Sequence, residues 1–116
     1  MIVVKGNTLM VSQNDTLLTF FKMAAEGYIL KGTETVRFSI KERLTDLNPV
    51  ITTTCFIDTV NNIIRVFVDK SVMARLDAGT YYYDLDLTKS DGFHTTLVYP
   101  SKFIVREVVH SDGAGN

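Results

Sequence analysis

The chain has 116 residues, of which 46% are hydrophobic and 22% charged, and its formal net charge is −1. This length predicts one domain with a modest core, and the charged fraction is too low for a disordered protein. Acids and bases are interspersed rather than clustered, which argues against nucleic acid or an anionic membrane as a partner.

Targeting and redox features point to a protein made and folded in a reducing cytoplasm. The N-terminus lacks the basic region and apolar run of a signal peptide, and no apolar stretch approaches the ~18 residues of a membrane span. The single cysteine, Cys55, excludes an intrachain disulfide and a cysteine-only metal site. Because free cysteine packs as a small hydrophobe, we predict that Cys55 is buried and unreactive.

Strands are predicted along the first half of the chain from alternating apolar and polar residues. The clearest alternation places Val36, Phe38 and Ile40 inward within 35–41. Residues 2–4 and 9–11 predict either a short hairpin or two halves of a broken edge strand. The remaining predicted strands of this half are 15–23 and 51–57.

The second half of the chain predicts a strand, a helical turn and a long hairpin. In the strand 63–69, Ile64, Val66 and Val68 form the expected core face. A helix of at most two turns is expected over 70–76. The hairpin then consists of 81–88, a turn at Ser90-Asp91-Gly92, and returning segments at 93–99 and 103–109.

About seven short strands predict an all-β fold, an immunoglobulin-like antiparallel β-sandwich, with one short helical turn. We expect a single domain over residues 1–110 and a flexible tail at 111–116. The Gly79-Thr80-Tyr81 start of the sixth strand is similar to the corner of immunoglobulin-like domains in which a tyrosine hydroxyl bonds back to the backbone. Gly79 and Tyr81 are therefore predicted as a structural corner, with Tyr81 bonded within 70–78.

Apolar side chains in excess of one core face predict an interface. A two-layer sandwich buries only one face of each sheet, but Leu18, Phe20, Ile63 and Phe67 lie opposite the predicted core residues. Contiguous exposed apolar residues usually mark a contact with another subunit. Loops at 24–33 and 45–49 that fold back over these residues are the alternative.

No pattern of residues predicts catalysis or metal binding. His94 beside Asp91 and the pair Asp84 and Asp86 are the only local groupings, and ordinary turn and sheet polarity explains both. Phosphate loops, nucleophile elbows and zinc motifs are missing from the sequence. We therefore predict a non-enzyme with no catalytic residues, no metal, no cofactor and no small-molecule substrate.

Exposed aromatic residues leave a second class of function open. Tyr82, Phe93 and Tyr99 could stack on sugars from one sheet face, as in carbohydrate-binding modules. Packing of these rings within the sheet is the other interpretation. A carbohydrate-binding β-sandwich is accordingly the alternative function.

Four stretches of the chain resemble the N-terminal immunoglobulin-like module of phage baseplate upper proteins and related prophage structural proteins. The most telling is Leu76-Asp77-Ala78-Gly79-Thr80-Tyr81-Tyr82-Tyr83-Asp84, since that family typically enters its penultimate strand through Leu-x-x-Gly-x-Tyr-x-Tyr. The others are Asp15-Thr16-Leu17, residues 35–41, and Asp91-Gly92 leading to 103–105 and Glu107-Val108. Family members often carry a long C-terminal stalk or receptor-binding part, so this chain is either a stand-alone virion component or a fragment.

The resemblance implies a non-enzymatic building block of a phage or prophage tail or baseplate. Such a protein would be made in the bacterial cytoplasm and located in the virion. Its partners would be other virion proteins and further copies of itself, which it would contact by protein–protein docking.

Overall fold

The computed structural model describes residues 7–23 and 27–107, and every structural statement below refers to these residues. The predicted strand at 2–4, the tail at 111–116, and parts of the predicted loop at 24–33 and strand at 103–109 lie outside them. The elements are β1 (Leu9–Ser12), β2 (Leu17–Lys22), β3 (Thr35–Lys41), β4 (Ile51–Thr54), β5 (Phe56–Asp58), β6 (Ile63–Val68), α1 (Lys70–Met73), β7 (Gly79–Thr88) and β8 (His94–Arg106).

Two sheets form the sandwich. One has five strands in the order β1-β8-β7-β3-β4, and the other has three in the order β2-β6-β5. β1 runs parallel to β8, whereas all other neighbours are antiparallel. This arrangement confirms the predicted all-β sandwich. The predicted antiparallel pairing holds for every described pair of neighbours except β1 and β8.

The core lies between the sheets and is filled by the inward residues of alternating strands. Val36, Phe38 and Ile40 of β3 are fully buried, as their alternation predicts. The buried residues Ile64, Val66 and Val68 of β6 belong to the same core from the other sheet. Aromatic rings occupy the centre of this core: Tyr83 stacks on Phe38 with ring centroids 5.4 Å apart. The inner faces of both sheets therefore follow from local alternation.

The predicted single strand over 51–57 is wrong in one respect, because the chain changes sheets within it. β4 pairs with β3 in the five-stranded sheet, and β5 pairs with β6 in the other. Cys55 lies between the two strands, and its amide N–H donates to the carbonyl oxygen of Val36 at 2.8 Å. Residues 7–23 and 27–107 therefore contain eight strands, where about seven are predicted for the chain.

Cys55 is buried at this crossing, which confirms its predicted location. Burial raises the pKa of its thiol to about 12, although a backbone hydrogen bond from Phe38 acts in the opposite direction. At neutral pH almost none of the reactive thiolate is present. The geometry thus favours an inert packing role for Cys55.

The helix is shorter than predicted and occupies only Lys70–Met73. Its first turn is capped by Asp69, whose carboxylate accepts from the Ser71 amide at 3.0 Å. Beyond Met73 the amides of Arg75 and Leu76 bond to carbonyl oxygens three residues back, so the chain tightens into 3₁₀-type turns. These turns lead directly into the corner before β7.

The corner contains the hydrogen bond expected from the sequence. Tyr81 is buried, and its hydroxyl donates to the carbonyl oxygen of Asp77 at 2.9 Å. Gly79 begins β7 and is exposed, with no atom within 4 Å of the position that a Cβ would occupy. Tyr81 therefore links the end of the helical turn to the start of the longest hairpin.

Replacing Tyr81 with phenylalanine is expected to lower the free energy of unfolding by about 1–2 kcal/mol, because the Asp77 carbonyl loses its donor. Urea denaturation followed by circular dichroism measures this change. Tyr82→Phe, at the next position on the opposite face of β7, is the control. Equal midpoints for wild type and Tyr81→Phe would contradict a stabilising role for the corner hydrogen bond.

Candidate docking face

The outer side of the three-stranded sheet exposes a cluster of four large apolar side chains. Leu18 is 73% exposed, Phe20 51%, Phe56 65% and Phe67 56%. We call these four residues the outer apolar face. Three of them follow from alternation, since the residues next to Leu18, Phe20 and Phe67 in sequence are buried or half-buried.

Strand register arranges this face in two rows. Phe20, Arg65 and Phe56 lie opposite one another across β2, β6 and β5. Leu18 lies opposite Phe67 in the adjacent row. Because paired residues of antiparallel strands share a side and lie within about 5.5 Å of each other, the four apolar side chains form one surface around Arg65.

The charge at the centre of this surface is neutralised within the chain. Arg65 Nη2 lies 3.0 Å from Asp58 Oδ2, and Nε lies 3.2 Å from the same oxygen. Asp58 also accepts from the side chain and backbone of Asn61, and these bonds together with Arg65 lower the pKa of its carboxyl to about 2. A partner therefore needs no counter-charge for Arg65.

The prediction that Ile63 belongs to the interface is wrong, because Ile63 is buried. Ile63 lies between Lys22 and Asp58 at the end of β6 beside the segment that follows β2. Strand neighbours alone do not bury a side chain on this face, because Arg65 also has one on each side and its side chain is 50% exposed. The preceding residue, Asn62, also holds the segment after β2, accepting from the Leu30 amide at 2.7 Å. Leu18, Phe20 and Phe67 are exposed as predicted.

Phe56 belongs to the outer apolar face but was not predicted there. Ile51 and Cys55 are buried, whereas the alternate positions Thr52, Thr54 and Phe56 are exposed. Alternation alone therefore places Phe56 on the outer side. The change of sheet at Cys55 brings Phe56 alongside Arg65, and no local pattern indicates that shift.

The outer edge of β2 has no strand partner among the described residues, because β2 adjoins only β6. β2 contains no proline, its ladder with β6 runs without a bulge, and its one charged residue is Lys22 at its end. Prolines, bulges and charged residues are the features with which natural proteins usually protect sheet edges. Within the described residues, the outer apolar face is thus bordered on one side by a strand edge that carries only one of these features.

A second cluster lies at the turn between β7 and β8, and its polar groups are hydrogen-bonded to one another. A depression of about 130 Å³ is lined in part by Tyr28, Lys31, Glu34 and Lys89. Glu34 accepts from the Tyr28 hydroxyl at 2.8 Å and from the Lys31 amide at 2.9 Å. The Lys89 ammonium lies over the Tyr28 ring, 5.2 Å from its centroid. These contacts stabilise loops and account for the polar groups of the depression.

The acidic and histidine pairs noted in the sequence have ordinary sheet partners. Asp84 lies opposite Ser39 and Asp86 opposite Arg37. Burial raises the pKa of Asp84, as does the charge of Asp86, while Lys41 acts against both. His94 contacts Thr88 through Nδ1 at 3.1 Å, and Asp91 accepts instead from the Phe93 amide.

Neither metal-binding groups nor a membrane helix occurs within 7–23 and 27–107. These ranges contain no grouping of three or more histidine, cysteine or acidic side chains that could hold a metal ion. Their one helix, α1, is far too short to cross a membrane.

The three aromatic residues considered for sugar stacking do not form one platform. Tyr82 pairs with Lys102 near the start of β7, whereas Phe93 precedes β8 at the far end of the hairpin, beneath the Lys89 ammonium. The six residue steps from Tyr82 to Thr88 alone separate them by about 20 Å. Tyr99 is exposed between these two positions.

Comparison of the sequence with models of known protein families and with curated proteins yields no match.

Proposed function

We propose that this protein is a non-enzymatic assembly module of a phage or prophage tail or baseplate, made in the bacterial cytoplasm and incorporated into the virion. It acts by docking on other virion proteins and on further copies of itself. The resemblance of its Leu-x-x-Gly-x-Tyr-x-Tyr corner and flanking strands to baseplate upper proteins supports this class of protein. The observation that carries the docking mechanism is the outer apolar face.

Docking is favoured because it removes the apolar side chains of that face from water. Each phenylalanine or leucine side chain gains about 1.5–3 kcal/mol on full burial relative to full exposure. Four such residues on one side of a three-stranded sheet form a contiguous patch, which soluble domains usually reserve for an interface. The opposite sheet presents a different surface, with Arg37, Asp84 and Asp86 on its outer side.

Incorporation into virions tests this proposal. The chain is tagged in the phage or prophage that encodes it, and purified particles are probed for the tag. We expect the wild-type chain in tails or baseplates and loss of the Phe67→Glu variant. Met10→Glu is the matched control, because Met10 is exposed to a similar degree, 58%, but lies on β1 in the other sheet.

Two results would contradict the proposal. One is absence of the wild-type chain from purified particles, and the other is equal incorporation of wild type and Phe67→Glu. Saturable binding to cell-wall polysaccharide, measured by titration calorimetry and lost in Tyr82→Ala or Tyr99→Ala, would favour the carbohydrate-binding alternative instead.

A further inference from the structure

We infer that the occupant of the outer apolar face is a second copy of this chain, packed sheet against sheet. This inference rests on the proposed docking role and specifies the partner of the same surface. It follows from the area of the face, from its internal charge compensation, and from the arrangement of its two rows.

The area of the face matches what a stable dimer needs. A phenylalanine side chain spans about 200 Å², so the exposed fractions of the three phenylalanines and Leu18 amount to roughly 450 Å² of apolar surface. A standard interface buries about 800 Å² per partner, of which about 65% is apolar in homodimers. One identical face therefore supplies close to the apolar area that a dimer buries from each subunit.

Charge favours an uncharged, self-complementary partner. The Arg65 guanidinium is already paired with Asp58, so the face offers no free charge at its centre to attract an acidic or basic protein. A second copy brings the same compensated pair and the same apolar residues. Identical subunits associate most commonly about a two-fold axis, which uses one surface twice.

The rows determine how two copies pack. In the proposed dimer, the two-fold axis lies in the plane of the interface, runs perpendicular to the strands and passes midway between the two rows. Rotation about this axis places the Arg65 row of each copy against the Phe67 row of the other copy. Phe20 then packs on the Leu18 of the second copy, and Arg65 on its Phe67. An axis through the Arg65 row, or along β6, would instead place Arg65 on the Arg65 of the second copy, so that neither guanidinium packs on an apolar side chain.

Edge-to-edge pairing through β2 is the competing geometry for two copies. It would extend the three-stranded sheet but would leave the four apolar side chains in water, on a patch twice as large. Face-to-face packing, with sheets about 10 Å apart as in a sandwich core, removes them from water. We therefore assign the face, rather than the β2 edge, as the dimer contact.

Sedimentation velocity over about 1–100 µM protein tests the inference. Wild type is expected to shift from monomer to dimer in this range, and Met10→Glu to behave like wild type. Leu18→Glu and Phe20→Lys should each weaken dimerisation at least about 100-fold, because a homodimer of either variant buries two unpaired charges. Circular dichroism verifies that each variant is folded.

Mixing the two variants tests the row geometry. In a heterodimer of Leu18→Glu with Phe20→Lys, the new carboxylate faces the new ammonium, while the second Phe20–Leu18 contact remains apolar. We expect an equimolar mixture to dimerise at least about tenfold more tightly than either variant alone. A mixture that stays as monomeric as its components would overturn the proposed packing.

The outcomes separate this inference from the proposed function. A wild type that stays monomeric to about 100 µM but enters virions through the outer apolar face overturns the second-copy inference alone. A dimer that depends on Leu18 and Phe20 but never enters virions supports the inference and overturns the proposed function. Equal weakening by Met10→Glu would show that dimerisation uses another surface.

Discussion

Truncation of Tyr83 to alanine is expected to lower the free energy of unfolding by about 3–5 kcal/mol. The Tyr83 side chain is fully buried at the centre of the core. Its ring stacks on Phe38 and meets Phe103 edge-on at 6.4 Å and Phe21 at 6.1 Å. Alanine at this position therefore leaves a cavity lined by three aromatic rings, one of them from the opposite sheet.

The hydroxyl of Tyr83 adds a separable effect. It donates to the carbonyl oxygen of Asn7 at 2.6 Å and accepts from the Asn7 amide at 3.2 Å. Tyr83→Phe keeps the ring and is expected to cost about 1–2 kcal/mol. Hydrogen exchange of the amides from Asn7 to Ser12 should accelerate in this variant, since the contact holds Asn7, just before β1, against the core.

Urea denaturation measures these changes in the free energy of unfolding. It compares wild type with Tyr83→Ala, Tyr83→Phe and the control Tyr99→Ala. Tyr99 is exposed, so its truncation should alter stability by no more than about 0.5 kcal/mol. A loss of less than about 1 kcal/mol in Tyr83→Ala would contradict the central role of this ring.

Replacement of Glu34 by alanine is expected to lower the free energy of unfolding by about 2–4 kcal/mol, because three donors lose a buried charged acceptor. These donors are the Tyr28 hydroxyl and the amides of Lys31 and Gly32. Glu34→Gln keeps one acceptor oxygen without the charge and should lose less. Glu42→Ala, in the exposed loop after β3, is the control.

The Glu34 contribution should depend on pH. Burial alone would raise the pKa of this carboxyl, but hydrogen bonds from the Lys31 amide, the Tyr28 hydroxyl and the Gly32 amide outweigh it, so the pKa is held below its ordinary value of 4.5. A carboxyl with a lowered folded-state pKa stabilises the protein above the unfolded-state pKa and loses that effect as pH falls.

Stability curves from about pH 7 to about pH 3 for wild type and Glu34→Gln provide the measurement. The advantage of wild type should be full near neutrality and should shrink as pH falls below about 5. An advantage that is constant across this range would show that the carboxylate charge contributes nothing.

The features predicted correctly from the sequence are those that depend on neighbouring residues. Alternation places Val36, Phe38 and Ile40 in the core and Leu18 and Phe20 outside it, because the side-chain period of a strand is independent of what the strand pairs with. The Tyr81 corner is likewise local, with donor and acceptor four residues apart.

Features that depend on distant pairing could not be predicted in this way. Ile63 is buried at the end of β6 where Asn62 bonds to Tyr28 and Leu30 of the connection after β2, and such long-range contacts are not encoded in the alternation of β6. The change of sheet at Cys55 is set by competition between β3 and β6 for the segment 51–58. Glu34 was missed because its donors lie in a connection with no periodic pattern.

The parallel pairing of β1 with β8 has a mechanical consequence. The described chain begins just before β1 and its last strand is β8, and the two strands lie side by side from Leu9 opposite Phe103 to Ser12 opposite Arg106. Tension applied to the two ends would slide these strands past each other along their axes. All rungs of the ladder, with the adjoining Gln13–Arg106 hydrogen bond of 2.8 Å, would then bear the load together. An antiparallel hairpin pulled at its open end loses its bonds one at a time. This parallel pairing is therefore expected to resist stretching of the chain more strongly than a hairpin with the same number of hydrogen bonds.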